Sequence, residues 1–326
     1  MSRIKLIFLQ IFIINQNINS QTLNCKYFDI LSGEYSCRLD MLVNKELTNS
    51  TNITGLHINN KTDDDVLKIV IESGTFSYFF PTKLCEKFKN LNQLDTMNSI
   101  IEVFDKNSFV SCSNLDQMLL TNSMDTEFPE NLFFNNTKLT SLKLTCDSLQ
   151  TVSKNILKYQ FKTLKILEMH IYTGNFLLPW NFFNDFENLF YLKIEITGLK
   201  NLDPGWFSKL ANLEELYILN SEILNLSKNI FSPVTNLRKL ILQSNNLTIF
   251  HADSISGLNN LTVLDLMQNQ ILSLDPKIFK HPKLRIVNLA DNFCGADGIM
   301  DLTSDRRLIR NYTDDCTVNY MLQAHT

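Results

Sequence analysis

From about residue 66 onward the apolar positions of this chain recur in a fixed frame. Leu213-x-x-Leu216-x-Ile218, Leu237-x-x-Leu240-x-Leu242, Leu261-x-x-Leu264-x-Leu266 and Leu284-x-x-Val287-x-Leu289 share one pattern, and earlier copies begin at Val66, Leu91, Leu115, Leu139, Leu164 and Leu189. Successive starts lie 23 to 25 residues apart. Within each copy the apolar fourth and sixth positions alternate with polar ones, which is the period of a half-buried strand. One copy cannot enclose its own apolar face, so the pattern predicts strands stacked in parallel along a solenoid.

Two further columns support that reading. Asn245, Asn269 and Asn292 close three of the copies. An amide at that place can bond backbone groups of adjacent coils where the chain leaves the sheet. Upstream copies carry Ser221, Thr197, Tyr172, Asp147 and Ser123 there, so the early ladder is expected to be less regular. In the second half of each copy Phe109, Phe133, Phe183, Phe207, Phe231 and Phe279 form a column, with Leu84, Leu157 and Ile255 in its gaps. This stripe reads as a core spine beneath the convex side, each buried Phe contributing roughly 1.5–3 kcal/mol.

The spacing, the Asn column and the Phe spine together resemble extracellular leucine-rich-repeat proteins with repeats of about 24 residues, such as Toll-like ectodomains and small secreted insect leucine-rich-repeat proteins. The resemblance covers residues 53–316. It implies an α/β horseshoe with a concave parallel sheet, a convex side of irregular or short helical segments, and disulfide-capped ends. The expected division is a signal peptide over 1–20, an N-terminal cap with a first incomplete strand over 21–65, ten repeats over 66–292, and a short C-terminal cap and tail over 293–326. The incomplete strand is Ile53-x-x-Leu56-x-Ile58. Asn292-Phe293-Cys294 resembles the start of the family's C-terminal cap, which usually holds four cysteines. Only Cys294 and Cys316 are present here, so a single-disulfide cap is implied.

Composition places the chain outside the cell. Arg3 and Lys5 precede an apolar run from Leu6 to Ile14, and cleavage is expected near Ser20. That run is shorter than the roughly 20 residues that span a bilayer, and no second one follows, so no membrane span or lipid anchor is expected. Eight Asn-x-Ser/Thr sequons, at Asn49, Asn52, Asn60, Asn135, Asn225, Asn246, Asn260 and Asn311, agree with export and glycosylation. So do cysteines placed before and after the repeats, with Cys25 and Cys37 as one expected disulfide pair. Cys85 and Cys112 fall in convex loops of neighbouring repeats, a spacing compatible with a bridge. Cys146 is left over, either as an unpaired thiol or as the link of a disulfide-bonded dimer. Net charge is −4 and the basic residues are dispersed, which gives no nucleic-acid footprint.

Catalysis is not expected. Cys146 at the eighth repeat position and His170 at the seventh of the next were expected close together on the exposed face, with Glu168 and Glu195 nearby. These are parts of a nucleophilic site or a partial metal site. A flat, solvated sheet lacks the water-excluding pocket and oxyanion donors that such chemistry needs. No cofactor or metal motif is present, and nine glycines in the whole chain leave little for a phosphate-cradling loop.

The expected working surface is the concave face, formed by repeat positions three, five, seven and eight. It carries a charged zone of Lys143, Glu168, His170, Lys193 and Glu195 beside a mixed apolar zone of Tyr191, Tyr217, Leu219, Ile241, Val263 and Met267, with Asp265 among them. Aromatic and aliphatic clusters on a rigid sheet are candidate hot spots. The sequence therefore points to a secreted recognition protein that binds an extracellular protein or glycoconjugate, with innate immunity suggested by the resemblance alone. The alternative is a structural or adhesive matrix protein without a dedicated ligand.

Overall fold

The computed structural model describes residues 22–30, 33–40, 42–43, 52–71, 76–96, 99–294 and 299–302. In chain order its strands are β1 (Thr22–Asp29), β2 (Tyr35–Asp40), β3 (Leu42–Val43), β4 (Asn52–Thr54), β5 (Lys68–Ile71), β6 (Phe76–Phe79), β7 (Gln93–Asp95), β8 (Ile100–Val103), β9 (Gln117–Ser123) and β10 (Ser141–Cys146). They continue as β11 (Ile166–Ile171), β12 (Tyr191–Ile196), β13 (Glu215–Ile218), β14 (Lys239–Ile241), β15 (Ile249–Phe250), β16 (Val263–Asp265), β17 (Ser273–Leu274), β18 (Ile286–Asn288) and β19 (Ile299–Asp301). The strands β5, β7, β9 to β14, β16 and β18 pair side by side in parallel, one per repeat. The register is set by the repeat itself: Leu142, Leu167, Leu192 and Leu216 face one another from β10 to β13. Shorter strands form partial second rows on the flank, as in β3–β6–β8 and β15–β17. The convex side carries single turns such as the 3-10 turns Pro204–Phe207 and Pro276–Lys280, each opened by an Asp whose carboxylate accepts a backbone N–H.

Inside, the spine is continuous. Phe109, Phe133, Phe183, Phe207 and Phe231 are fully buried, and Leu84, Leu157 and Ile255 fill the gaps. Phe109 stacks on Phe133 at 5.8 Å between ring centres, and Phe207 tilts against Phe231 at 5.3 Å. Phe279, on the last and shortest spacing, is only partly buried, and Ile278 beside it fills the core instead.

The coils close in two ways. In the C-terminal repeats each Asn of the predicted ladder is inserted between coils. Asn269 donates to the carbonyls of Leu242 and Leu266 at 2.9 Å each, and its Oδ1 accepts from Leu247 N–H at 3.1 Å. Asn245 and Asn292 repeat the arrangement one coil on either side. Just before these asparagines the chain turns through a left-handed residue at Ser244, Gln268 and Asp291, with Asn220 alike in the preceding repeat, and this stops the strand. In β10 to β12 there is no such Asn. The strand runs on to position eight, and Cys146, Ile171 and Ile196 there turn into the core. In these strands position eight is therefore inward, not concave as the sequence suggested, because uninterrupted alternation sends even positions inside. In the later repeats Asn220, Ser244, Gln268 and Asp291 keep it at the surface.

The N-terminal cap also departs from expectation. Only the start of Ile53-x-x-Leu56-x-Ile58 is a strand, β4, where Ile53 is buried; Leu56 and Ile58 lie beyond it, 90% and 40% exposed. The strand next to β5 is instead β2, paired with it in parallel, and β1 folds back on β2 antiparallel. β4 then adds outside β1. A disulfide joins Cys25 of β1 to Cys37 of β2, and a second joins Cys85 to Cys112 in neighbouring convex loops. Cys294 is disulfide-bonded. Its expected partner Cys316, the signal-peptide segment and the sequons at Asn49 and Asn311 lie outside the described residues.

Truncating the spine separates buried from marginal positions. Phe207→Ala is expected to lower unfolding free energy by about 3–5 kcal/mol and Phe279→Ala by well under half of that, as measured by urea denaturation.

Candidate binding face on the concave sheet

The outward side chains of the sheet fall into three rows fixed by strand register. The third-position row runs Ile166, Tyr191, Glu215, Lys239, Val263, Ile286. The fifth-position row runs Lys143, Glu168, Lys193, Tyr217, Ile241, Asp265, Asn288. The seventh holds Thr145, His170 and Glu195. The structure thus gathers the expected charged residues on three adjacent strands.

All but Lys193 are paired with one another. His170 is wedged between two carboxylates, with Nδ1 2.9 Å from Glu195 Oε2 and Nε2 3.2 Å from Glu168 Oε2. Lys143 Nζ lies 3.4 Å from that same Glu168 oxygen, and Asn220 donates to the other Glu195 oxygen at 2.8 Å. The His170 hydrogen bond, against the opposing cost of burial and with help from Lys143 and Lys193, holds the Glu168 carboxyl below its ordinary range. Lys193 stands between Glu168 and Tyr217 in register. Further along, Tyr217 donates to Glu215 at 2.7 Å and Lys239 reaches the same oxygen at 3.1 Å. Asp265 accepts from Met267 N–H and from Asn288.

Beside this network lies an apolar surface. Tyr191 and Tyr217 pack with ring centres 5.1 Å apart, and burial followed by the nearby Glu168 pushes the Tyr191 phenol up to about 12. Ile166, Leu219, Val263 and Met267 are half-exposed around them. Ile241 is on the same face but only 8% exposed, so it supports the patch from below.

Cys146 is a correction. Its thiol is free and only 1% exposed, and burial, then Asp147 and Asp125, raises it to about 12. His170 faces the opposite side of the sheet, across from Thr145. Thiol and imidazole do not meet, and a buried thiol is not placed to link two chains. Among the described residues no group of three or more His, Cys, Asp or Glu side chains is arranged to hold a metal. A cleft of about 240 Å³ lies on the convex side near Ser256, Lys277 and His281, away from this face.

The comparisons with known proteins agree with the geometry. A leucine-rich-repeat family profile matches residues 211–271, and a profile of the BspA-type leucine-rich-repeat region matches residues 70–162. The chain carries leucine-rich repeats. In fold it is similar to the Toll chain of the Drosophila Toll–Spatzle complex, at 18% identity and a TM-score of 0.56 over 76% of this chain. It is similar also to TLR13 in its complex with ssRNA13, at 21% identity and a TM-score of 0.57 over 73% of this chain. It spans 36% and 35% of those two chains, about a third of their length. No curated protein sequence matches it. No helix among the described residues is long and apolar enough to cross a membrane.

One recurrent feature escaped the sequence reading. The residue before the first apolar position is Asn at 90, 114, 188, 212, 236 and 260, and each donates across the convex surface to a backbone carbonyl of the preceding coil. The Asn-Leu dipeptide that opens these repeats was its signal.

Two measurements check this site. The lowered Glu168 carboxyl contributes stability that is full above the unfolded value of about 4.3 and lost as pH falls through the folded one. Glu168→Gln is expected to lower stability near neutral pH and to flatten the acid limb of the pH–stability curve. Cys146 is expected to resist a soluble maleimide in the folded protein and to react once urea unfolds it. Rapid labelling of the native chain would contradict its placement.

Proposed function

We propose that this leucine-rich-repeat protein is an exported recognition protein that binds an extracellular protein or glycoconjugate partner through its concave face, without catalysing a reaction on it. The observation that carries the reading is the half-exposed cluster of Tyr191, Tyr217, Leu219, Val263 and Met267 on a sheet whose neighbouring charges, Lys193 apart, are already paired. Rigid tyrosines, which lose little entropy on docking, are among the groups that dominate interface energies, and the aliphatic side chains around them help to exclude water. The basic N-terminal leader pattern, the sequons and the disulfides support an extracellular location. The Toll–Spatzle complex, a fold relative, is described as a molecular hub in Drosophila development and innate immunity, and an immune role is part of the proposal. The RNA bound by TLR13 is not carried over, since this chain has a net charge of −4 and no basic stripe.

The test is chemical cross-linking capture from extracellular fluid with the wild-type chain, Tyr191→Ala/Tyr217→Ala, and Lys209→Ala on the convex side as a control. Loss of the captured band by about tenfold or more in the tyrosine variant alone is expected, the size of a modest hot spot. Equal capture by all three would move the binding site off the concave face. Ile241 is left unchanged because its burial would confuse binding with stability.

A further inference from the structure

The Leu56–Ile58 pair is left unused by the core, although the chain around it is firmly held. Gly55 lies so close to the Cys25 carbonyl that there is no room for a Cβ. The His57 ring stacks on Tyr27 at 3.9 Å between centres, with Nδ1 3.1 Å from Tyr35 OH and Nε2 3.1 Å from Asp63. Tyr35 OH accepts from the Ile58 N–H at 3.2 Å, while Asn59 and Lys61 both bond Asp29 at the end of β1. With His57 pinned inward, Leu56 and Ile58 are held outward. They stand at the N-terminal end of the sheet, where β4 is bonded to β1 on one side only among the described residues. Two exposed aliphatic side chains beside an open strand edge favour edge-to-edge or end-to-end association.

The same segment carries a sequon on each side of the pair, Asn52-Ile53-Thr54 and Asn60-Lys61-Thr62. Both asparagine side chains are exposed, and neither makes a side-chain hydrogen bond among the described residues. Asn52 points outward from β4 because its neighbour Ile53 points in. Asn60 is at the tip of a tight turn closed by Lys61 N–H to Ile58 C=O at 3.1 Å, where it and Asn59 are both left-handed. The repeat sequons Asn135 and Asn260 differ, since their amides donate to the carbonyls of Val110 and Thr235.

We propose that Asn52 and Asn60 carry N-linked glycans that cover Leu56, Ile58 and the outer edge of β4, keeping the solenoid from associating through its N-terminal end. This rests on the exported state proposed above. In the modification the sugar C1–O bond of a lipid-linked oligosaccharide diphosphate breaks and a C1–Nδ2 bond to Asn forms. Nδ2 loses one proton and the lipid diphosphate leaves, with no change of oxidation state. A bulky hydrated sugar on each side of the pair shields it at no cost to the fold, because neither amide is used elsewhere.

The experiment uses the full chain secreted by cultured eukaryotic cells. Glycopeptide mass spectrometry reads Asn52, Asn60 and, as an export reporter, Asn225. Light scattering then gives the molar mass before and after enzymatic removal of glycans from the folded protein, and for Asn52→Asp/Asn60→Asp. Expected are glycans at Asn52 and Asn60, a monomer when glycosylated, and at least a doubled mass without them. Adding Leu56→Ser/Ile58→Ser to the unglycosylated variant should restore the monomer. Asn225 occupied with Asn52 and Asn60 bare, or a monomer after deglycosylation, would overturn this inference alone. No sequon occupied would overturn it together with the exported state.

Discussion

Each coil of this solenoid must satisfy two demands that it cannot meet alone, covering its apolar face and pairing the backbone polar groups at its corners. Both are met by the next coil, at an offset of one repeat. The side-chain bonds that tie corners together bridge the same interval, as from Asn269 to Leu242 or from Asn212 to Glu187. A buried N–H or C=O left without a partner costs about 1–3 kcal/mol, comparable to the burial of a side chain. Corner pairing therefore constrains the architecture as strongly as the Leu and Phe columns do.

The two solutions to that demand divide the sheet. In the repeats of β13, β14, β16 and β18, closed by Ser221 and then by Asn245, Asn269 and Asn292, the chain turns sharply at a left-handed residue and the strand is short, three or four residues. In β10 to β12 the strand continues for six residues and buries an apolar eighth residue. Only the longer strands place seventh-position residues in the regular sheet. His170 and Glu195 meet there because β11 and β12 are both long enough to pair that far.

Much of this was legible in the sequence because period and register follow from spacing alone. Rows three and five could be written down from the repeat starts, and with them the neighbours Lys143, Glu168 and Lys193. The eighth position was misread because it depends on how the coil ends, and Cys146 is small enough to suit either side. Leu56 and Ile58 keep the repeat's spacing but follow a β1–β2 hairpin that already covers the open end of the core. Local periodicity carries no record of that long-range competition. The amides of Asn188 and Asn212 were overlooked since polar residues before a strand look like ordinary solvated turn.

The internal pairing of the concave charges bears on what the face can select. A partner that sought Glu168 with a cation of its own would have to displace Lys143 and His170, and a half-buried charge stripped of its partners costs several kcal/mol. A partner that lays apolar surface on Tyr191, Tyr217 and Met267 breaks none of these bonds. Lys193, which helps to hold the Glu168 carboxylate but makes no close ion pair among the described residues, stands beside the tyrosines, where it can meet an incoming acceptor. For the concave-face binding proposed above, this geometry favours a largely neutral, apolar partner surface with an oxygen acceptor at its edge, recognised by shape and desolvation more than by net charge.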